Sequence, residues 1–564
     1  MGSSFVDTVL VGITVLFGIT VLFGITVLFG ITVLVGITVL VGITVLVGIT
    51  VLVGITVLLR KTVLLRERVL RAVAWISMAA GMAGVALPSR AAESPQNVRL
   101  QPTNILILMA DNWAWPHASV LGDPLVQTPT FDRLAREGVL FSHAFCSVPS
   151  CAPARAVFLT GQPAHRLEGA ANLWGVFPAK FAVFPDMLEA AGYRVGFSGK
   201  GWGPGNLEAS GRTRNPAGEK FRSFAEFVEG QPVSQPFCYW HSSREPHAPW
   251  SAGEAFLDQL PAERVQVPAY LPDHPAVRED IRRYYAEVQQ FDADCGAILD
   301  LLRDRNLAES TLVVLVGDNG WQLPRGLAHV YDAGTRVPLA IRWPGHAKAG
   351  HVADELVSFE DIAPTLLEAA GLAPSTKMTG TSMVHLLHGE TDRSRDHVFI
   401  ERERHANVRQ GDLTYPCRSI RTREFLYVWN LHPERWPAGD PEAYWAVGPY
   451  GDVDWSFTKD LLIDPHRSPQ LQRYFELGFG KRPEEELYDL RTDPAETVNV
   501  AADPTYAATC AELRQRVQTW MRDTGDPRAD GETDLFDKAA YFGRKAPETP
   551  PPGRPTFTPA SPQP

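Results

Sequence analysis

Two apolar runs, each ending in an Asp-Asn pair, constrain the fold more than any other feature of the sequence. The first run covers residues 105–109 and the second covers residues 312–316. Runs of this length and composition predict buried strands. Open α/β sheets bind their ligands at the carboxyl ends of their strands, so we expect the two pairs to lie in one site. The four side chains concerned are Asp111, Asn112, Asp318 and Asn319.

The segments between these runs carry helical patterns. One apolar face is formed by Ile281, Tyr284, Val288, Phe291, Cys295, Ile298 and Leu302. Strands that alternate with amphipathic helices predict an α/β fold, with a mostly parallel central sheet flanked by helices. At 564 residues, the chain is long enough for about two to four domains.

The residue types of the two pairs indicate a cation. All four side chains offer an oxygen atom, which favours Ca²⁺, and after it Mg²⁺, over zinc. Each pair alone could simply form a turn, since Asp and Asn are common turn residues. Their joint occurrence with the cysteine motif described next favours a metal site.

Cys151 begins the motif Cys-Ala-Pro-Ala-Arg, which continues to Leu159-Thr160-Gly161. The apolar residues after Pro153 predict a helix whose first turn holds the cysteine. The amides and the dipole of such a helix end favour an anion, and Arg155 can hold an anionic oxygen with its planar guanidinium. Two alternatives are a buried structural cysteine and a disulfide with Cys146.

The bulk composition excludes some functions. A net charge of −11 and a pI near 5.8 give no overall attraction to nucleic acid, so none is expected as a partner. The six cysteines show no paired metal-ligand spacing and cannot form a dense disulfide framework.

The N-terminal segment has two parts. Gly-Ile-Thr-Val-Leu recurs at a six-residue step from Gly12 to Gly54, and residues 1–65 are predicted to be a repeat outside the fold. Residues 66–92 begin with arginines, continue as an apolar run and end near small residues, which predicts a signal peptide or signal anchor. We therefore expect export to the periplasm or beyond, with membrane anchoring as the alternative, and expression from about residue 93 should retain activity.

The motifs together resemble a known family. The first strand, the Cys151 signature and Gly-Asp-Asn-Gly at 317–320 follow the order typical of type I, formylglycine-dependent sulfatases of the alkaline phosphatase superfamily, over roughly residues 102–525. The resemblance implies an alkaline phosphatase-like catalytic domain at 100–385 and a smaller α+β domain at 386–540. A Pro-rich tail at 541–564 is expected to be disordered.

The resemblance also implies a cofactor and a set of site residues. A maturation enzyme would oxidise Cys151 to Cα-formylglycine, whose hydrate provides one hydroxyl to attack sulfur and a second to expel sulfate. Arg155, Lys200 and His247 would complete the catalytic group, with Lys200 on sulfate and His247 near the leaving group. One Ca²⁺ ion would be bound by Asp111, Asn112, Cys151, Asp318 and Asn319. Alternatively, Lys200 could be a solvated side chain and His247 a loop-shaping one.

Three positions depart from the family pattern. Asn112 stands where many sulfatases have a second aspartate, Trp202 lies where a histidine is common, and Leu327 aligns with a lysine. We expect Arg325 or His329 to replace the lysine charge. These departures affect metal affinity and the proton donor for the leaving group.

The C-terminal motifs suggest the substrate. Residues 401–405, 415–422 and 430–437 resemble the C-terminal part of heparan N-sulfatases, or sulfamidases, which implies a sulfated glycan ending in N-sulfoglucosamine. Arg404 and His405 would bind this sugar, and Trp202 would stack on it. Trp113 and Trp115 could stack on it in the same way. The same motifs could instead serve packing alone.

Three functions remain open from the sequence. The first is a sulfatase acting on sulfated glycans, with N-sulfate favoured over O-sulfate. The second is a phosphoesterase or phosphonate hydrolase of the same superfamily. The absence of a His-rich zinc motif argues against the two-zinc form of such an enzyme. The third is a non-catalytic glycan-binding relic.

Overall fold

The computed structural model describes residues 103–543, except 233, 393, 443–447 and 532. The predicted repeat at 1–65, the targeting segment at 66–92 and the tail from residue 544 lie outside the described residues. Within the described part of the chain, no helix combines the length and the apolarity needed to cross a bilayer.

The larger sheet has eight strands in the spatial order β4-β3-β5-β1-β6-β7-β2-β8. Among the described strands of this sheet, only β7 runs antiparallel to both of its neighbours. The strands are β1 (Asn104–Ala110), β2 (Val139–Phe145), β3 (Arg194–Gly199), β4 (Glu219–Lys220), β5 (Phe237–Ser242), β6 (Thr311–Gly317), β7 (Leu339–Arg342) and β8 (His351–Ser358).

The central strands are apolar because both faces of the sheet are covered. Every residue of β1 and β6 is buried, and successive β1 side chains enter two separate cores on opposite faces. The helices are α1 (Pro129–Glu137), α2 (Cys151–Thr160), α3 (Phe184–Ala190), α4 (Phe224–Glu229), α5 (Pro275–Asp304), α6 (Asp332–Thr335), α7 (Ile362–Ala369), α8 (Val384–Leu387), α9 (Phe457–Ile463), α10 (Gln472–Phe479) and α11 (Ala507–Thr524). The helical pattern predicted at residues 281–302 lies within α5.

The smaller sheet is antiparallel and contains four strands in the order β12-β11-β10-β9. They are β9 (His397–Arg402), β10 (Cys417–Thr422), β11 (Phe425–Asn430) and β12 (Glu485–Asp489). Helix α11 packs its apolar side chains, among them Leu513, Val517 and Met521, on this sheet. The predicted fold class, a mostly parallel sheet with flanking helices and a smaller α+β part, is confirmed. The division between residues 385 and 386 stays a prediction.

The predicted tail differs at its start. Residues 541–543 contact the folded protein, because the amide of Phe542 donates to the Trp174 carbonyl at 2.8 Å and Arg404 lies over the Tyr541 ring. The Pro-rich composition of residues 541–564 as a whole predicts disorder and gives no sign of these first contacts.

The topology gathers four loops at one edge of the large sheet. Strands β3, β5, β1 and β6 are consecutive neighbours and all run in the same direction. The segments that follow them therefore emerge side by side. Each of these segments carries at least one of the predicted site residues, in the order Lys200, His247, Asp111 and Asp318.

Candidate active site

The two Asp-Asn pairs lie next to each other because β1 and β6 are paired in register. Ala110 lies opposite Gly317, and the amide of Asp318 donates to the Ala110 carbonyl at 3.1 Å. The amide of Asn112 in turn donates to Asp318 Oδ1 at 2.9 Å. The strand register therefore brings together residues that are about 200 positions apart in the sequence.

Cys151 is the first residue of α2 and faces this pair of strand ends. Its Sγ lies 3.2 Å from Asp111 Oδ1 and 3.7 Å from Asn112 Oδ1. One ligand atom each of Asp111, Cys151 and Asp318 lies within 4.8 Å of the other two. The disulfide alternative is wrong, because Cys146 is a free thiol directed at the Gly334 carbonyl.

The side chains present fit a hard cation. Asn319 donates from Nδ2 to Asn112 Oδ1 at 2.7 Å and to the Gly320 carbonyl at 2.8 Å, which leaves its Oδ1 buried without a hydrogen-bond partner. A buried amide oxygen without a donor is costly unless something positive binds it. Two carboxylates and this oxygen form the kind of donor set that Ca²⁺ prefers.

Arg155 is held rigidly beneath the same cluster. Its Nε donates to Asp318 Oδ2 at 2.8 Å, and its Nη1 donates to the Gly201 carbonyl and to the Ser242 hydroxyl. The remaining Nη2 is buried and has no partner. This nitrogen is available to donate to an oxygen of the nucleophile or of a bound anion.

Lys200 reaches the cluster from the end of β3. Gly199 adopts a φ of +76°, and a Cβ there would collide with the Ser242 carbonyl, so the turn that presents Lys200 requires glycine. The Nζ of Lys200 lies 2.7 Å from Asp111 Oδ2, and 17% of the side chain is exposed. The partial exposure leaves the ammonium able to contact a ligand.

We call these residues the nucleophile cluster: Asp111, Asn112, Cys151, Arg155, Lys200, Asp318 and Asn319. Burial alone would raise the pKa of Asp111, but Lys200 and other nearby cations hold that pKa well below its usual value. Burial and the Asp111 charge raise the pKa of Asp318. The two carboxylates therefore have opposite shifts, and a bound cation would favour the charged form of both.

The unmodified thiol is a poor nucleophile in this environment. Burial raises the pKa of Cys151 well above its ordinary value, and the neighbouring Asp111 charge raises it further. The thiolate is the reactive form of a cysteine, so this side chain would remain protonated and weakly reactive at neutral pH.

His247 lies at the border of the cluster, in the loop after β5. Its Nδ1 is 2.6 Å from the Ala248 carbonyl, and since a carbonyl only accepts, Nδ1 carries the proton of the neutral ring. The Nε2 is 3.8 Å from Asp454 Oδ2, and 34% of the side chain is exposed. Nε2 is thus the nitrogen that can exchange a proton with a ligand.

His405 extends the site from the end of β9. Its Nδ1 lies 2.8 Å from the hydroxyl of Ser150, the N-cap residue of α2, whose side chain caps no helix amide. Burial lowers the pKa of His405 to about 4, so the ring is neutral at neutral pH. His405 therefore contacts the residue directly before Cys151.

Trp202 does not lie where a stacking residue would. Only 2% of it is exposed, and its Nε1 donates to the Ala152 carbonyl at 3.1 Å, so the indole supports the first turn of α2. Trp113 is also in the core, in edge contact with Phe131. The prediction that Trp202 stacks on a sugar is corrected, because a buried ring has no free face.

Two predicted substrate-binding arginines have structural partners instead. Arg325 donates to the Leu477 and Glu496 carbonyls and lies 3.7 Å from the Tyr331 ring centre. Arg404 donates to carbonyls of residues 412, 537 and 539. Both are buried, and their Nη atoms, the outer edge of each guanidinium, donate to backbone carbonyls, so Arg325 does not replace the missing lysine charge.

His329 lies deeper than predicted. It is 4% exposed, its Nδ1 is 3.1 Å from the Leu327 carbonyl, and its Nε2 is buried without a partner. Burial and nearby arginines lower its pKa well below the ordinary value, so it is neutral and does not replace the lysine charge either. Leu327 itself is buried.

Sequence reasoning missed two residues of the site. Ser150, directly before the cysteine, would be taken for a helix cap, and only the contact with His405 shows another role. Asp454 lies in a segment without any recognisable motif, and it reaches His247 across 207 positions of sequence.

Comparisons with known proteins agree with this geometry. The sulfatase family model matches residues 103–230 and 219–372, and the model described as N-sulphoglucosamine sulphohydrolase, C-terminal, matches residues 317–440. Human N-sulphoglucosamine sulphohydrolase is 30% identical over 479 residues, covering 76% of this chain and 92% of that protein. An ulvan-active sulfatase of Formosa agariphila is 26% identical and covers 77% of each chain.

Solved structures share the fold at low identity. One, a complex with its substrate D-glucosamine-2-N,6-O-disulfate, superposes with a TM-score of 0.55 at 18% identity over 77% of this chain and all of that chain. The phosphonate monoester hydrolase of Agrobacterium radiobacter superposes with a TM-score of 0.56 at 20% identity, over 75% of this chain and 96% of that chain. The resemblance derived from the sequence motifs is confirmed by the match to the human relative. The chain therefore belongs to the sulfatase family of hydrolytic enzymes.

Proposed function

We propose that the protein removes sulfate from sulfated glycans, with N-sulfoglucosamine ends as its substrate, using formylglycine at position 151 and one calcium ion. The observation that carries this proposal is the nucleophile cluster, in which a buried cysteine and two carboxylates lie within 4.8 Å of one another and the neighbouring Asn319 has a buried, unpartnered amide oxygen among the described residues. The match of residues 317–440 to the sulphohydrolase C-terminal model and the similarity to the human sulphohydrolase support the choice of sugar.

Two cofactors belong to this proposal. Asp111, Asn112, Asp318 and Asn319 would hold the calcium, which would supply positive charge at the nucleophilic oxygen and at the sulfate, and a formylglycine hydrate at 151 would supply the attacking hydroxyl. The high pKa of the unmodified thiol supports the need for modification, since a protonated thiol would not attack sulfur.

The basic residues act on the anionic substrate. Lys200 can turn its partly exposed ammonium from Asp111 towards a sulfate oxygen, while the free Nη2 of Arg155 donates from a fixed position. Donors that are already oriented lose little entropy when charge develops in front of them. Lys200 therefore serves mainly binding, and Arg155 serves orientation.

His247 moves the proton at the leaving group. Its Nδ1 is engaged with the Ala248 carbonyl, so Nε2 delivers a proton to the departing nitrogen or oxygen. An amine is a poor leaving group unless it is protonated, which makes this step more important for an N-sulfate than for an aryl sulfate.

The test compares two buried cysteines. Cys151→Ala should reduce turnover of N-sulfoglucosamine and of an aryl sulfate by at least about 10³-fold, because it removes the nucleophile. Cys146→Ala, which changes a buried thiol outside the nucleophile cluster, should stay within about three-fold of the unmutated enzyme. Mass spectrometry of the active protein should find formylglycine at 151, and an unmodified thiol at full activity would contradict the mechanism.

The alternative chemistry is an outcome of the same assays. A panel with phosphate and phosphonate esters beside the sulfated sugars would identify a phosphonate hydrolase if those esters turned over faster. Faster turnover of 6-O-sulfated than of N-sulfated glucosamine would contradict the sulfamidase assignment. Loss of all turnover, with the cysteine unmodified and glycan binding intact, would favour the non-catalytic relic.

We also propose that the mature enzyme works outside the cytoplasm, after a maturation enzyme has acted on it. The arginine-rich start and apolar run of residues 66–92 support export. Terminal sequencing of the mature protein would find a start near residue 92, whereas a retained N-terminus with membrane association would indicate an anchor.

A further inference from the structure

Asp454 brings a carboxylate to the border of a site that binds an anion. Its Oδ2 is 3.8 Å from His247 Nε2, and its side chain is 24% exposed beside the 34% exposed histidine. The Oδ2 atom itself is buried and accepts no hydrogen bond from the described residues. The residue comes from the segment before α9, far from the loop after β5 that carries His247.

A carboxylate at this place needs an explanation, because it repels a sulfated substrate. His405 interacts with both Asp454 and His247. It provides no positive charge to balance Asp454, because it is neutral at neutral pH. His247 becomes its cationic partner when Nε2 is protonated. The 3.8 Å separation of Oδ2 and Nε2 allows the two side chains to form an ion pair whenever Nε2 carries a proton.

The chemistry of the leaving group distinguishes two substrate classes. Hydrolysis of a sulfate ester consumes water and yields an alcohol, sulfate and a released proton. Hydrolysis of a sulfamate consumes water and yields sulfate and an amine, which keeps the proton as an ammonium ion at neutral pH. Only the sulfamate therefore leaves a cation beside Asp454.

Within this site, the S–N bond breaks and its electron pair stays on nitrogen, which takes the proton from His247 Nε2. The sulfuryl group passes to the attacking hydroxyl oxygen, which gives up its proton to solvent, and the released amine takes up a second proton from solvent. A carboxylate beside His247 stabilises the ammonium that forms after the step.

We propose that Asp454 is a positioning residue that acts through His247 and favours substrates whose leaving group departs as an amine. The inference rests on the proposed function, because it assigns the sulfamate preference of the same site to one side chain. It does not require Asp454 to touch the sulfate.

The experiment uses three substrates that differ in the leaving group: N-sulfoglucosamine, glucosamine 6-O-sulfate and 4-nitrophenyl sulfate. Asp454→Asn keeps the shape and removes the charge, so kcat on N-sulfoglucosamine should fall by about 10- to 100-fold with little change in KM. The loss on glucosamine 6-O-sulfate should be smaller, and the loss on the aryl sulfate smallest, because its phenolate leaves without a proton.

Further variants separate positioning from folding. Asp454→Glu should recover part of the N-sulfoglucosamine activity, and Asp454→Asn should cause no added loss in a His247→Ala background. The control Asp460→Asn changes a nearby exposed carboxylate that accepts from Trp455 and should leave all three rates within about two-fold.

The outcomes distinguish the inference from the proposed function. Equal losses on the three substrates, or additive losses in the double variant, would overturn the role of Asp454 while the proposed function stands. If the unmutated enzyme cleaved the aryl sulfate and glucosamine 6-O-sulfate but not N-sulfoglucosamine, both would be overturned. A rise in KM at unchanged kcat would also overturn the inference, since it would make Asp454 a ground-state binding residue.

Discussion

The protein contains two buried charge clusters that resemble each other in composition and differ in what they leave unsatisfied. One is the nucleophile cluster, in which Arg155 and Asp318 have fully buried side chains. The other, which we call the β9 cluster, links β9 to the segment that follows α2 and to the segment after α11. It consists of His165, Glu401, Glu403, Arg418, Asp526 and Arg528.

The β9 cluster satisfies its carboxylates completely. Arg418 donates to both oxygens of Asp526 at 2.6 and 3.1 Å and to Glu403 at 2.7 Å. Arg528 donates to both oxygens of Glu403, and His165 lies 3.0 Å from Glu401 through Nδ1. One nitrogen, Nε2 of His165, has no partner.

The nucleophile cluster contains one acceptor and one donor that form no hydrogen bond with the described residues. Asn319 Oδ1 can accept, and Arg155 Nη2 can donate, yet neither has a partner among the residues that the structure describes. Burial and charge balance are common to both clusters, so they do not identify an active site. Unpartnered polar atoms around a reactive residue do identify an active site, because they form hydrogen bonds only when a ligand binds.

The largest effect should come from Asp318. Asp318→Asn removes a metal ligand and the ion-pair partner of Arg155, so kcat/KM should fall by at least about 10³-fold and bound calcium should be lost. Elemental analysis and rate measurements on the same samples would test this, with circular dichroism as the control for folding. Stoichiometric zinc without calcium in the unmutated enzyme would favour the phosphoesterase reading instead.

The matching change in the β9 cluster, Asp526→Asn, should affect activity less and stability strongly. Asp526→Asn leaves Arg418 with a missing partner, and breaking a buried ion pair in this way costs about 3–5 kcal/mol of unfolding free energy. Urea unfolding would measure the loss, while the rate per folded molecule should change less than about two-fold. The exposed Asp523→Asn serves as the control. A drop in rate without a drop in stability would break the comparison.

The smallest effect should be the pH dependence from His165. Burial alone would lower the pKa of His165, but Glu401 and Asp526 raise it above its ordinary value. A raised folded-state pKa means that the pairing stabilises the protein fully below the unfolded-state pKa of about 6.5 and is lost as pH rises through the folded-state value.

His165→Gln tests this sign. The difference in unfolding free energy between the unmutated protein and the variant should be about 1 kcal/mol near pH 6 and should shrink towards pH 9. A difference that grew with pH would show that His165 is buried in its neutral form. The rate of turnover at the nucleophile cluster should not follow this pH-dependent difference in unfolding free energy.

Sequence reasoning reached the centre of the site but not its border. The apolar runs at 105–109 and 312–316 predict buried strands, and the residues at their ends are local in sequence, so their arrival at one edge of a sheet could be foreseen. Trp202, Arg325 and Arg404 were misplaced because a residue type does not show whether its polar atoms are used up by backbone carbonyls. Burial and partners depend on packing between distant segments.

The sequence by itself determined the cysteine motif, the two Asp-Asn pairs, the α/β alternation and, through them, the sulfatase family. Their positions follow from local chain geometry: a residue after a buried strand must emerge at that strand's end. The tertiary structure alone decided that His247 contacts Asp454, that Ser150 contacts His405, and that Nη2 of Arg155 is left without a partner among the described residues. These contacts join segments that are 200 or more positions apart, so no local pattern encodes them, and only the packing of β9 against β8 and of α9 against α5 brings them together.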